Sequence, residues 1–214
     1  MIFIKISAVL LLTQLMLACS SMGVKSDFVS STNSASSVVP IGSLKVFIDA
    51  SAIGAAGATI KDIALTHSEA SQSLVNSFKT RMSEAKVNAL VKPFGSVTST
   101  TTVDGSKTTT TLRAAGVNIE KMIAGESASS QPILILRIVS SQARNNVWNG
   151  MVSWRLDLVD PSVWTSKNNN TIWTGETRPM QFCPSSCSVD SYKLCADRLS
   201  EIVVAQLRNE KLIK

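Results

Sequence analysis

Apolar and polar positions along this chain alternate with two periods, and the places where the period changes divide it into elements. Ile133-Leu134-Ile135-Leu136-Arg137-Ile138-Val139 is apolar on both alternating sides, which predicts a central strand covered on both faces. Val152, Trp154, Leu156 and Leu158 then alternate with Ser153, Arg155 and Asp157, the pattern of a strand with one buried and one wet face. Asp160-Pro161 stops that strand, because proline has no donor for a ladder. After a polar loop, Thr171-Ile172-Trp173-Thr174 starts another strand, which Gly175 weakens. Together these stretches predict an antiparallel meander over Pro132 to Arg178, and it contains Trp148, Trp154, Trp164 and Trp173, all four tryptophans of the chain.

The same alternation over Ser43 to Ser51 predicts the first strand of the domain, followed by a small, glycine-rich loop over Ile53 to Ala58. Thr66-His67-Ser68-Glu69 fits a capping box, and Ala70, Leu74, Phe78, Met82 and Ala85 follow at helical spacing. Strand character resumes over Val87 to Val91, which implies a right-handed crossover between parallel strands. Val97 to Leu112 reads VTSTTTVDGSKTTTTL; a two-residue turn centred on Asp104-Gly105 would make it a polar hairpin with Val97 opposite Leu112, and low-complexity disorder is the competing reading. Val117 to Ala124 predicts a short helix with Ile119, Met122 and Ile123 on one side. A final helix, capped by Ser188 or Asp190, buries Tyr192, Cys195, Leu199, Ile202 and Val203. The fold class expected is therefore α+β: a mixed, mostly antiparallel sheet of about five or six strands with two main helices packed on one face. Residues 43–214 form that single domain.

The first 42 residues follow a different logic. Residues 1–18 have one early positive charge at Lys5, an apolar run and a small residue before Cys19, the layout of a signal peptide. Leu15-Met16-Leu17-Ala18-Cys19 resembles the bacterial lipobox, which implies that Cys19 is acylated and becomes the first mature residue. Ser20 at the following position implies sorting to the outer membrane, by likeness to enteric lipoproteins, with the domain in the periplasm. Residues 19–42 then read as a lipidated cysteine and a flexible Ser-rich tether, disordered from Ser20 to about Ile41, whose root-mean-square span would be roughly 25 Å. A net charge of +6, spread without a Lys/Arg cluster, argues against a nucleic-acid partner.

Candidate chemistry is sparse. With Cys19 lipidated, Cys183, Cys187 and Cys195 remain in an oxidising setting, and Cys183–Cys187 is the expected disulfide, because Cys195 lies roughly 10 Å along its helix from Cys187. The cysteine spacing matches no zinc pattern, and the one histidine, His67, opens a distant helix, so no metal and no cofactor is expected. Ser83-Glu84-Ala85-Lys86 matches S-x-x-K formally but lacks the companion elements of serine acyl-enzymes, so no catalytic residue is assigned. Asp160-Pro161 and Ile172-Trp173-Thr174-Gly175 resemble the Asp-Pro and Trp-small-Gly signatures of TolB-N-like or curli-secretion-like α/β envelope lipoproteins. That resemblance implies a two-layer domain acting in envelope assembly through protein contacts; the lipopolysaccharide-assembly lipoproteins are a second likeness. The function expected is a non-catalytic accessory factor, anchored in the membrane through its N-terminal lipid, that binds an envelope protein or a lipopolysaccharide-like glycolipid. A cell-wall hydrolase is the alternative. Trp148, in Asn145-Asn146-Val147-Trp148-Asn149-Gly150, and Trp164, in a loop of Ser, Lys and Asn, are the candidate partner contacts, and the threonine-rich hairpin is another.

Overall fold

The computed structural model describes residues 27–33, 40–49, 60–105, 107–115, 118–144, 147–164, 171–181 and 189–214. The strands are β1 (Phe28–Asn33), β2 (Ser43–Asp49), β3 (Asn88–Phe94), β4 (Ser96–Asp104), β5 (Lys107–Ala115), β6 (Ile133–Arg144), β7 (Val147–Val159), β8 (Thr171–Thr177) and β9 (Met180–Gln181). The helices are α1 (Ile60–Glu84), α2 (Ile119–Gly125) and α3 (Val189–Asn209). One sheet runs in the order β1-β8-β7-β6-β2-β3, and β9 adds to β7. β2 is parallel to β3 and to β6, and the remaining pairs are antiparallel, so the fold is the expected mixed α+β sheet with α1 carrying the parallel connection.

Period 2 in the strands and 3.6 in the helices meet on one face. Leu44, Val46 and Ile48 of β2, Leu134 and Leu136 of β6, and Trp154, Leu156 and Leu158 of β7 are all buried there. Against them pack Ala70, Leu74, Phe78 and Met82 of α1 and Tyr192, Leu199, Ile202 and Val203 of α3. The two helices also touch each other, with the Ser77 hydroxyl donating to Asp197 Oδ1. The Trp173 ring reaches over Gly175 of its own strand, where an added Cβ would stand 2.4 Å from it. Gly175 is thus the position that makes room for a wholly buried tryptophan, with the Phe28 ring edge-on at 6.0 Å.

Both long helices end in the same way. Lys86 and Lys211 take left-handed φ values of 57° and 59°. Around them Val87 N–H donates to the Met82 carbonyl and Leu212 N–H to the Leu207 carbonyl, the wide bonds of a Schellman ending. A buried apolar residue follows each lysine, which locks the chain as it turns towards β3 or towards Ile41.

The sequence reading needs correction in several places. α1 begins at Ile60, so Thr66 and His67 lie within the helix and are not its cap and first residue. The tether assigned to 19–42 contains β1, which pairs with β8 from Phe28 to Asn33. The ordered domain therefore starts before residue 43. Phe28 is the buried side chain that the Ser-rich composition concealed. The threonine-rich segment forms the two-stranded β4–β5 sheet, with Asp104 opposite Lys107 and Val97 opposite Ala114. Its turn is centred one residue later than expected, since Gly105, at φ +58°, is the first turn residue. Trp148 stands on β7 and not in a loop, because β6 and β7 continue their pairing to Arg144 and Val147.

Candidate functional site

The second face of the sheet is divided. Over β2 and β6 it carries a small apolar cluster of Phe47, Ile133, Ile135 and Val159, covered by Ile123 of α2. An ion pair from Lys45 to Glu126 ties the segment after α2 to the sheet. Beyond that cover the face is polar, and the register aligns it in rows. Ser30, Glu176, Arg155 and Arg137 occupy one rung across β1, β8, β7 and β6. Thr32, Thr174, Asp157 and Ile135 occupy the next rung on the same side.

Two arginines directly opposite each other on neighbouring strands repel unless an anion lies between them. Asp157 provides that anion: its Oδ2 accepts from Arg137 Nη2 at 2.5 Å and its Oδ1 from Arg155 Nε at 3.1 Å. The Thr174 hydroxyl donates to the same Oδ1 at 2.7 Å. Burial of Asp157 pushes its pKa up, but the hydrogen bonds from Thr174 and Arg137 and the charges of Arg155 and Arg137 outweigh it and hold the carboxyl below its usual range. Such a carboxylate stays ionised and is a poor proton donor at neutral pH. The arginines are less committed. Arg137 Nε is buried with no hydrogen-bond partner among the described residues, and half of the Arg155 side chain faces solvent.

The residues singled out from sequence fall elsewhere. Trp164 is half-buried against the Phe47–Ile135 cluster, with its backbone N–H donating to the Asp160 carbonyl at 3.0 Å. It therefore packs the turn after β7 onto the sheet, and the half of the side chain left accessible is the part that a partner could meet. Trp148 lies on the β6–β7 arm. Cys19, Cys183 and Cys187 lie outside the described residues. Cys195 is half-buried on α3, and burial pushes its thiol up, which disfavours the thiolate that nucleophilic attack requires. The Ser83–Lys86 spacing belongs to the end of α1, where Lys86 N–H donates to the Ser83 carbonyl at 2.9 Å. Among the described residues no group of three His, Cys, Asp or Glu side chains could share a metal ion.

Sequence reasoning missed the arginine row. Arg155 and Asp157 read as the wet side of β7, and only the pairing register sets Arg137 opposite Arg155. No protein-family model, curated protein or solved structure matches the chain.

Proposed function

We propose that this chain is an outer-membrane-anchored periplasmic lipoprotein, acylated at Cys19, whose domain acts without catalysis by binding an envelope protein or a lipopolysaccharide-like glycolipid through an anionic group. The observation that carries the reading is the Arg137–Arg155 pair. Two guanidinium groups face each other on a half of the sheet that no helix covers among the described residues, pinned by one ionised aspartate, with Arg137 Nε unpaired there and half of Arg155 facing solvent. Guanidinium donors in a fixed fork match phosphate and carboxylate oxygens, and a second anion relieves the repulsion that Asp157 offsets in part. Glu176 bounds the site on the β8 side, so the ligand's anion sits over Arg137 and Arg155 and not over the whole row.

Crosslinking capture from intact cells, followed by identification of protein and lipid in the adduct, tests this. Arg155→Gln should lower capture by about tenfold, the factor that losing one charge-assisted hydrogen bond of about 1.4 kcal/mol represents. Its thermal midpoint should barely move, since Arg155 is exposed. Undiminished capture by both Arg155→Gln and Arg137→Gln would sink the site, and retention of Cys19→Ala in the membrane fraction would sink the anchor.

A further inference from the structure

We infer that the end of the sheet at which β1 begins is seated on the phospholipid surface, with Val29 and Leu194 in contact with the lipid headgroup and upper acyl region. The inference rests on the proposed lipidation of Cys19 and goes beyond it by fixing which end of the domain meets the bilayer.

The first observation is length. Only residues 20–26 separate Cys19 from Asp27. From Asp27 the chain is fastened, because the Asp27 carbonyl accepts from Arg178 N–H at 2.8 Å and its carboxylate accepts from Arg198 Nη2 at 3.1 Å. A connection this short reaches at most about 28 Å even when fully extended. A tether running to residue 42 would reach roughly three times as far, so β1 draws the domain down to the membrane.

The second observation is direction. β1 begins at the end of the sheet where β2, β3, β6 and β8 finish, as their pairings require. The β4–β5 hairpin leaves from that end after Phe94, and the tip of the β6–β7 arm extends from it. α3 starts towards that end too, since the segment just after its last turn pairs with Ile41, where β2 is about to begin at the opposite end of the sheet, and Arg198 at its middle reaches Asp27.

The third observation is exposure. The three most exposed large apolar side chains among the described residues are Leu194 at 70%, Val103 at 68% and Val29 at 61%. All three belong to elements at this end. Val29 is the extra residue where the β1 register shifts between Phe28 and Ser30, which turns it away from the ladder. Leu194 lies one turn before Arg198 on the same side of α3, beside the place where the tether joins. Arg198 is largely offset by Asp27 and by Glu201, so the contact is apolar more than electrostatic. The Arg155–Arg137 rung follows within a few residues of this edge, within reach of a headgroup phosphate.

The test uses the full chain in cells, with a photo-crosslinking amino acid in place of Val29, of Leu194 or of Val163. Val163 is exposed but follows β7 at the opposite end of the sheet. The expected result is phospholipid adducts at positions 29 and 194 several-fold above those at 163. Equal yields at the three positions, or protein adducts in place of lipid at 29 and 194, overturn the inference while membrane fractionation of the same cells leaves the anchor standing. A protein found in the soluble fraction overturns both.

Discussion

From β7 the side chains of Trp154, Leu156 and Leu158 go to the helix-covered face, while Arg155 and Asp157 go to the other. The strand is the same and the energetics of its two sides differ in kind. On the covered face burial is nearly complete, shape decides what fits, and Gly175 is needed because Trp173 already fills the space. On the open face the side chains are held by charge and register, and Asp157 is tightly enclosed while the arginines beside it are not. A rigid apolar layer thus presents a polar row whose geometry is fixed by strand pairing, which is how a binding site can be precise without being deep.

The sharpest test of that contrast uses adjacent residues on β8. Gly175→Ala should cost about 3 kcal/mol, because the new methyl meets the Trp173 ring and Phe28 in a layer that cannot relax. Glu176→Ala, one residue on and facing the other way, should stay within about 0.5 kcal/mol. Chemical denaturation of the two variants decides it; similar costs would mean that the faces are not energetically distinct.

Asp157→Asn comes next in size. Removing the charge leaves Arg137 and Arg155 opposed with no counter-ion between them, and a loss of about 1–2 kcal/mol is expected once the exposure of both arginines is allowed for. The pH dependence has a definite sign. A carboxyl whose folded pKa lies below its unfolded value contributes stability above the unfolded value near 4, and loses it as the pH falls through the folded one. The parent protein should therefore lose stability faster than Asp157→Asn as the pH is lowered below about 4. Parallel stability curves for the two would show that Asp157 does not organise the row.

The same contrast explains what was legible in the sequence. The covered face announces itself through periodicity, so β2, β3, β6, β7 and β8 and the buried stripes of α1 and α3 are all readable, down to Trp154. β1 is not, because its strand identity comes from backbone pairing with β8 and only Phe28 carries an apolar signal. The hairpin turn is misjudged by one residue because Asp104-Gly105 and Gly105-Ser106 are both acceptable turn pairs, and threonines on either side give no apolar face to fix the register. The arginine row needs a pairing between residues 137 and 155 that no local pattern encodes. Trp164 is legible only in part for the opposite reason, since a tryptophan in a polar loop gives no sign of the cluster beneath it.

The smallest effect expected is at the ends of the helices that cover the apolar face. Lys211 has a left-handed φ of 59°, a conformation that costs a residue with a Cβ about 1 kcal/mol and glycine almost nothing. Lys211→Gly removes that cost. It also gives the unfolded chain more freedom, which opposes the gain by about 0.4–1 kcal/mol, and it removes a cation from the carboxyl end of α3, where a positive charge is favourable by about 0.3–1 kcal/mol. The dipole term is partly retained by Arg208, whose Nε donates to the Lys214 carbonyl at 3.1 Å. The three contributions leave a net change within about 0.5 kcal/mol of zero, smaller than either test on the sheet. Lys86→Gly at the end of α1 should behave alike, because the wide hydrogen bond and the buried residue that follows are the same there. If either variant instead lost as much stability as Gly175→Ala, the lysine would be fixing how the helix docks, and the stability of the covered face would depend on how its helices end as much as on its packing.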